Sequence, residues 1–190
     1  MNFDGATRNP WTTICEQLPR FPFCFSARER VLIERMKQNY MREAIRLSMQ
    51  MMRRGKGGPF GAVVVKGNKI VGRGCNQVTS GNDPTAHAEI VAIRDACQRL
   101  KTFSLDECDL YTSCEPCPMC LSAIYWARIR SVFYGNTRKD AAKIAFDDDE
   151  IYREVALPIR KRKLVMKPLL RNEALVAFKE WASRVDKIPY

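Results

Sequence analysis

One histidine, His87, is all the imidazole that this 190-residue chain possesses. Any chemistry that needs imidazole rests on that residue, and sites built on two histidines are excluded. Apolar runs such as Ala62 to Val65 are far too short to cross a bilayer, so no membrane span is expected. The opening stretch MNFDGATRNPWTTICEQLPR lacks the apolar block of a signal peptide. Its Asp4 and Glu16 also argue against an acid-poor transit peptide. Internal repeats and low-complexity segments are missing as well. The expected location is the cytoplasm. There, the eight cysteines (15, 24, 75, 97, 108, 114, 117, 120) point to metal binding or chemistry rather than to a disulfide framework.

What is present suits a soluble globular domain: 46% apolar residues, 28% charged, and enough length for one core with a short appendage. The net charge of +11 allows an anionic partner, nucleic acid included, but solubility is the plainer reading. The four arginines and four acids of residues 1–34 cancel, so the excess lies wholly in the remainder. A basic cluster, RKRK at 160–163, has no interleaved aromatics and so is no stacking platform for single strands.

Residues 1–35 read as an N-terminal arm of unassigned role, irregular to about residue 26 and carrying Cys15 and Cys24. A helical pattern runs from about Ala27 to Arg54, and GKGG ends it. FGAVVVKGNKIVGRG reads as a β-hairpin turning at Gly67-Asn68. A helix is expected from about Ala86 to Leu100, with His87, Ile90, Val91 and Arg94 or Cys97 facing inward. CDLYTS (108–113) and SVFYG (131–135) read as strands, KLVMKP (163–168) as a further candidate, and EALVAFKEWASRV (173–185) as a closing amphipathic helix. Alternating strands and helices predict an α/β sandwich, a mixed sheet with helices on both faces.

The pattern that carries chemistry is His87-Ala88-Glu89 followed by Pro116-Cys117-Pro118-Met119-Cys120. A catalytic zinc needs three protein ligands and an open fourth position. Cys117 and Cys120, three apart at a helix start, can turn both sulfurs toward one point. The helix N-terminus favours thiolates there. His87 would complete the set, while Glu89, two residues on, could reach a zinc-activated water and shuttle protons. This H-x-E…P-C-x-x-C order is the signature of the zinc deaminases. Three other readings compete: His87 as an ordinary helix residue, CEPCPMC as an iron–sulfur ligand run, and a structural zinc closed by Cys114.

Through GGPFGAVVV, NDPTAHAEIVAIRDAC, YTSCEPCPMCLSAIYWARI and FDDDEIY, residues 36–190 resemble the cytidine deaminase-like zinc deaminases, and within them the bacterial guanine deaminases. The resemblance implies a three-layer α/β/α sandwich around a mixed five-stranded sheet, one Zn2+ per subunit, and hydrolytic deamination of a purine base. It implies zinc held by His87, Cys117 and Cys120, with Glu89 moving protons and Asp148 assisting the departing amine. Asn76, Phe60, Trp126, Ala88 and Tyr190 would contact the base. It further implies a C-terminal lid, about residues 173–190, exchanged between the subunits of a homodimer. Residues 1–35 have no counterpart in the family. The rival readings are a tRNA adenosine deaminase, which shares DPTAHAE, a deaminase of another small base or nucleoside, and a zinc-stabilised binding module without turnover.

Overall fold

The computed structural model describes residues 26–189. The chain divides after Glu34. The described part of the first unit opens helix α1, Ala27–Arg53, where Ser26 and Glu29 cap each other reciprocally: each backbone N–H donates to the other's side chain, at 2.8 and 3.2 Å. The expectations for residues 1–25 and for Tyr190 lie outside the described residues.

In the second unit, β1 (Gly61–Lys66) and β2 (Lys69–Cys75) form the expected hairpin, followed by the short α2 (Val78–Gly81) and by α3 (Ala88–Leu100). Then come β3 (Cys108–Cys114), α4 (Pro118–Trp126) and β4 (Ser131–Asn136). The short helices α5 (Arg138–Ala142) and α6 (Asp149–Ala156) precede a 3-10 turn, Ile159–Lys161, and the final helix α7 (Arg171–Ser183). The strand order is β2-β1-β3-β4, with β1 antiparallel to both neighbours and β3 parallel to β4.

Two apolar layers sandwich this mixed sheet. On one face Leu47, Tyr40 and Met41 of α1 pack on Val63, Val65 and Tyr111. On the other, Ala88, Ala92 and Ala96 of α3 and Ile124 of α4 pack on Ala62, Val64 and Leu110. The three-layer α/β/α architecture is therefore as expected.

Two expectations about elements fail. The sheet has four strands among the described residues, not five, because Lys163–Pro168 takes no place in it. Those residues have β-branched and apolar character but remain exposed, Leu164 at 71% and Val165 at 75%. The inward face of α3 is only partly the predicted one: Ile90 is buried and Cys97 packs on the core, but Arg94 does not face inward. Its smallest residues, Ala88, Ala92 and Ala96, face the sheet, while Arg94 turns outward to Asp83 at 3.6 Å. Backbone proximity is the cause: a Cβ at Gly74 would lie 2.0 Å from the Ala88 carbonyl, and one at Gly72 2.4 Å from that of Ala92. Only glycine on the strand and alanine on the helix allow this spacing, so large apolar residues are pushed to the flanks of α3.

Candidate functional site

Two helix starts converge on the site. His87 is the N-cap of α3 and Cys117 the N-cap of α4, with Pro118 in the first helical position and Cys120 in the first turn. Cys117 Sγ and Cys120 Sγ each lie 3.5 Å from His87 Nδ1, and the three donor atoms all fall within 4.8 Å of one another. One imidazole and two sulfurs are the borderline-soft donors zinc prefers, and tetrahedral bonds to them would set sulfur and nitrogen about 3.6 Å apart. The cluster fits zinc.

The protonation state of the cluster agrees. A hydrogen bond from Cys120, helped by the His87 ring, pulls the Cys117 thiol down to about 4. Sharing a proton with that thiolate, together with burial, pushes Cys120 far up. His87 is raised by the same thiolate. One thiolate beside one thiol is a pair holding a single proton that a divalent cation can displace.

Cys114 does not join the cluster; its thiol donates to the Thr137 carbonyl at 3.7 Å. Among the described residues the geometry thus gathers three ligands and no fourth, against a structural site closed by Cys114. It also gives His87 a partner set that an ordinary helix histidine would lack.

Glu89 stands in the first turn of α3, 6% exposed. Its Oε1 accepts a hydrogen bond from the Thr112 hydroxyl at 3.0 Å, and its Oε2 lies 3.5 Å from Cys120 Sγ. Burial pushes this carboxyl up.

In front of these groups opens a cavity of about 520 Å³, whose walls include His87, Glu89, Asn76, Phe60, Phe146 and Asp148. The base of the hairpin positions two of them, because the Asn76 N–H donates to the Phe60 carbonyl at 3.0 Å. Asn76 Oδ1 accepts from the N–H groups of Gly58 and Val78, both at 3.2 Å. That leaves its amide NH2 as the group free to face a ligand. Phe60 meets Phe146 edge to face, with ring centroids 4.9 Å apart.

Asp148 occupies the N-cap position of α6 but makes no side-chain cap; the neighbouring Asp147 instead accepts from the Asp149 N–H at 2.9 Å. Its carboxylate lines the cavity, and burial pushes it up. Ala88 is fully buried between α3 and the sheet, so it can offer only its backbone.

Trp126 is not part of this site. It sits at the end of α4, 58% exposed, beside an open depression shared with Phe103 and Cys97. Six residues past Cys120 on a helix is almost two turns, which carries the indole away from the ligand cluster.

Sequence reasoning missed several wall residues. Phe146, Ile151 and Arg138 come from α5, α6 and the loop between them, elements too short for periodicity to reveal. Tyr152 pins α6 to the ligand loop by donating to the Pro116 carbonyl at 2.8 Å, and Arg138 stacks on its ring, 4.8 Å away. Thr112 was legible in principle: a hydroxyl alternating with Leu110 and Cys114 on the core-facing side of a central strand needs a buried partner.

Comparison with known proteins agrees with this geometry. The model of the cytidine and deoxycytidylate deaminase zinc-binding region matches residues 34–136. A guanine deaminase of Bacillus subtilis is 47% identical over 153 residues, 80% of this chain and 98% of the relative. Its X-ray structure superposes with a TM-score of 0.78 over the same shares. A guanine deaminase from Nitrosomonas europaea matches at TM-score 0.55 and 33% identity, over 57% of this chain and 63% of that one. A tRNA-specific adenosine deaminase of Buchnera aphidicola is 40% identical over 116 residues, 60% of this chain and 74% of the relative.

Proposed function

The chain belongs to the cytidine and deoxycytidylate deaminase zinc-binding family, and on that premise we propose that it hydrolyses guanine to xanthine and ammonia. The observation that carries this reading is the relative of 47% identity, whose likeness spans 98% of its own length and extends beyond the family's zinc-binding region. The tRNA deaminases of comparable identity match a shorter stretch, 60% of the chain or less among those compared.

His87, Cys117 and Cys120 hold the zinc. When bound, zinc supplies the Lewis acidity that makes a water nucleophilic near neutral pH. Glu89 accepts a proton from the attacking water and returns it to a ring nitrogen as C2 of the base becomes tetrahedral. Asp148, on the cavity wall, passes the remaining water proton to the amine. The C2–N bond then breaks, leaving xanthine and ammonia. Asn76 donates its amide to an acceptor on the purine edge, the Ala88 N–H offers a second donor, and Phe60 with Phe146 packs on the ring.

The C-terminal segment serves a homodimer. Val176, Phe178 and Trp181 of α7 are 61%, 75% and 46% exposed, as a helix covered by a second copy would be in the single chain. An exchanged segment would bring Tyr190 over the partner's cavity as a lid. The six cysteines of the described residues are all unpaired, which fits a reducing cytoplasm.

The net charge of +11 favours a second reading, action on tRNA. Ammonia release decides between them when guanine, guanosine, cytosine, adenine and a tRNA anticodon stem-loop are compared at equal concentration. Guanine should turn over at least about a hundredfold faster per KM than the others. An inert guanine beside an active stem-loop overturns the assignment and leaves the zinc chemistry standing.

A further inference from the structure

A buried hydroxyl in the middle of a sheet is costly unless something accepts its proton. Thr112 is such a group. It sits on the central strand β3, between Ala62 of β1 and Tyr134 of β4, and is 1% exposed. Its register partner Ala62 and Leu110, two residues back on the same strand face, belong to an apolar cluster, surroundings that would suit valine equally well in shape. The hydroxyl donates instead to Glu89 Oε1 on the facing helix, at 3.0 Å.

The two carboxylate oxygens of Glu89 therefore differ. Oε1 is tied to the sheet, whereas Oε2 is turned toward Cys120 Sγ at 3.5 Å and the ligand cluster. A glutamate carboxyl turns easily about its last torsion, whose energy profile is broad. One fixed oxygen is enough to hold the other in place.

We infer that Thr112 is a positioning residue, whose hydroxyl fixes Glu89 so that Oε2 faces the reacting atoms. This rests on the reading of Glu89 as the proton carrier. The central strand, paired on both sides, thus orients the carboxyl end of a side chain from the facing helix. Thr112 is not among the residues that line the cavity, so substrate binding should be unaffected by its loss.

Two variants separate this role from a structural one. Thr112→Val keeps the shape and removes the donor; Thr112→Ser keeps the donor and removes a methyl. In Thr112→Val, kcat for ammonia release from guanine should fall roughly ten- to a hundredfold, the range for losing a hydrogen bond to a charged group, with KM and zinc content unchanged. Thr112→Ser should recover to within about threefold of the parent. Independently of activity, the infrared carboxyl band that disappears in Glu89→Gln should shift in Thr112→Val, in metal-free as well as zinc-loaded protein. An unshifted band, or a shifted band with unchanged kcat, overturns the inference. If the parent chain releases no ammonia from guanine, the assignment of substrate fails, and the infrared band alone then decides whether Thr112 holds Glu89.

Discussion

The segment from Gly57 to Ala127 and the segment from Arg128 to Pro189 contribute to the same cavity, yet they are held together differently. Among the described residues, every buried side chain lies between Ala44 and Ala127, and none follows. The first segment carries three of the four strands, the three candidate ligands and Glu89. The second supplies the edge strand β4, then Phe146 and Asp148 from the loop that leads into α6, and runs into α7 with its apolar side uncovered. The candidate zinc ligands and Glu89 are thus mounted on the buried core, while the outer wall depends on elements with few buried contacts. Chemistry that needs sub-ångström placement lies in the first class, and access to it in the second.

Substitutions can break that contrast at either end. The largest effect belongs to Glu89→Gln, which should lower kcat by roughly 10²–10⁴-fold, the worth of positioned acid–base catalysis, while zinc content stays at one per chain. Next comes Gly74→Ala. Its new methyl would press on the Ala88 carbonyl from 2.0 Å, so denaturant unfolding should show a loss of about 3 kcal/mol, with the ligand cluster disturbed alongside. In the outer segment, Phe178→Asp combined with Trp181→Asp should turn a dimer into a monomer by sedimentation, with zinc content intact and guanine KM raised about tenfold or more. The smallest effect is expected from Trp126→Ala, with kcat/KM within about twofold of the parent, because the indole lies outside the cavity.

The sequence showed the rigid half far better than the outer half, for a physical reason. His87, Glu89, Cys117 and Cys120 act through spacings that helix starts impose, and those spacings are visible in a string of letters. The hairpin and α1 announced themselves by β-branched runs and a glycine stop. The inward face of α3 did not, because it was chosen by how closely two backbones approach at Gly72 and Gly74, which periodicity cannot see. Asp148 was findable only through resemblance, since an acidic run before a helix has the look of a cap. It does occupy the cap position, but Asp147 makes the turn's hydrogen bond and leaves Asp148 to face the cavity. Trp126 does not line the cavity within the single chain, because resemblance marks a position and not the direction in which a helix points it. The 163–168 stretch, with Leu164, Val165 and Met166 in a row, has strand character but no strand partner among the described residues, so local propensity and observed structure part there.

The sole histidine gives the most direct test. Zinc content, by metal analysis, and ammonia release from guanine should be measured together on the parent and on His87→Ala. The account predicts about one zinc per chain in the parent, and metal and turnover lost together in the variant, since no second imidazole can replace the first. Zinc retained at parental stoichiometry with turnover intact in His87→Ala would contradict it.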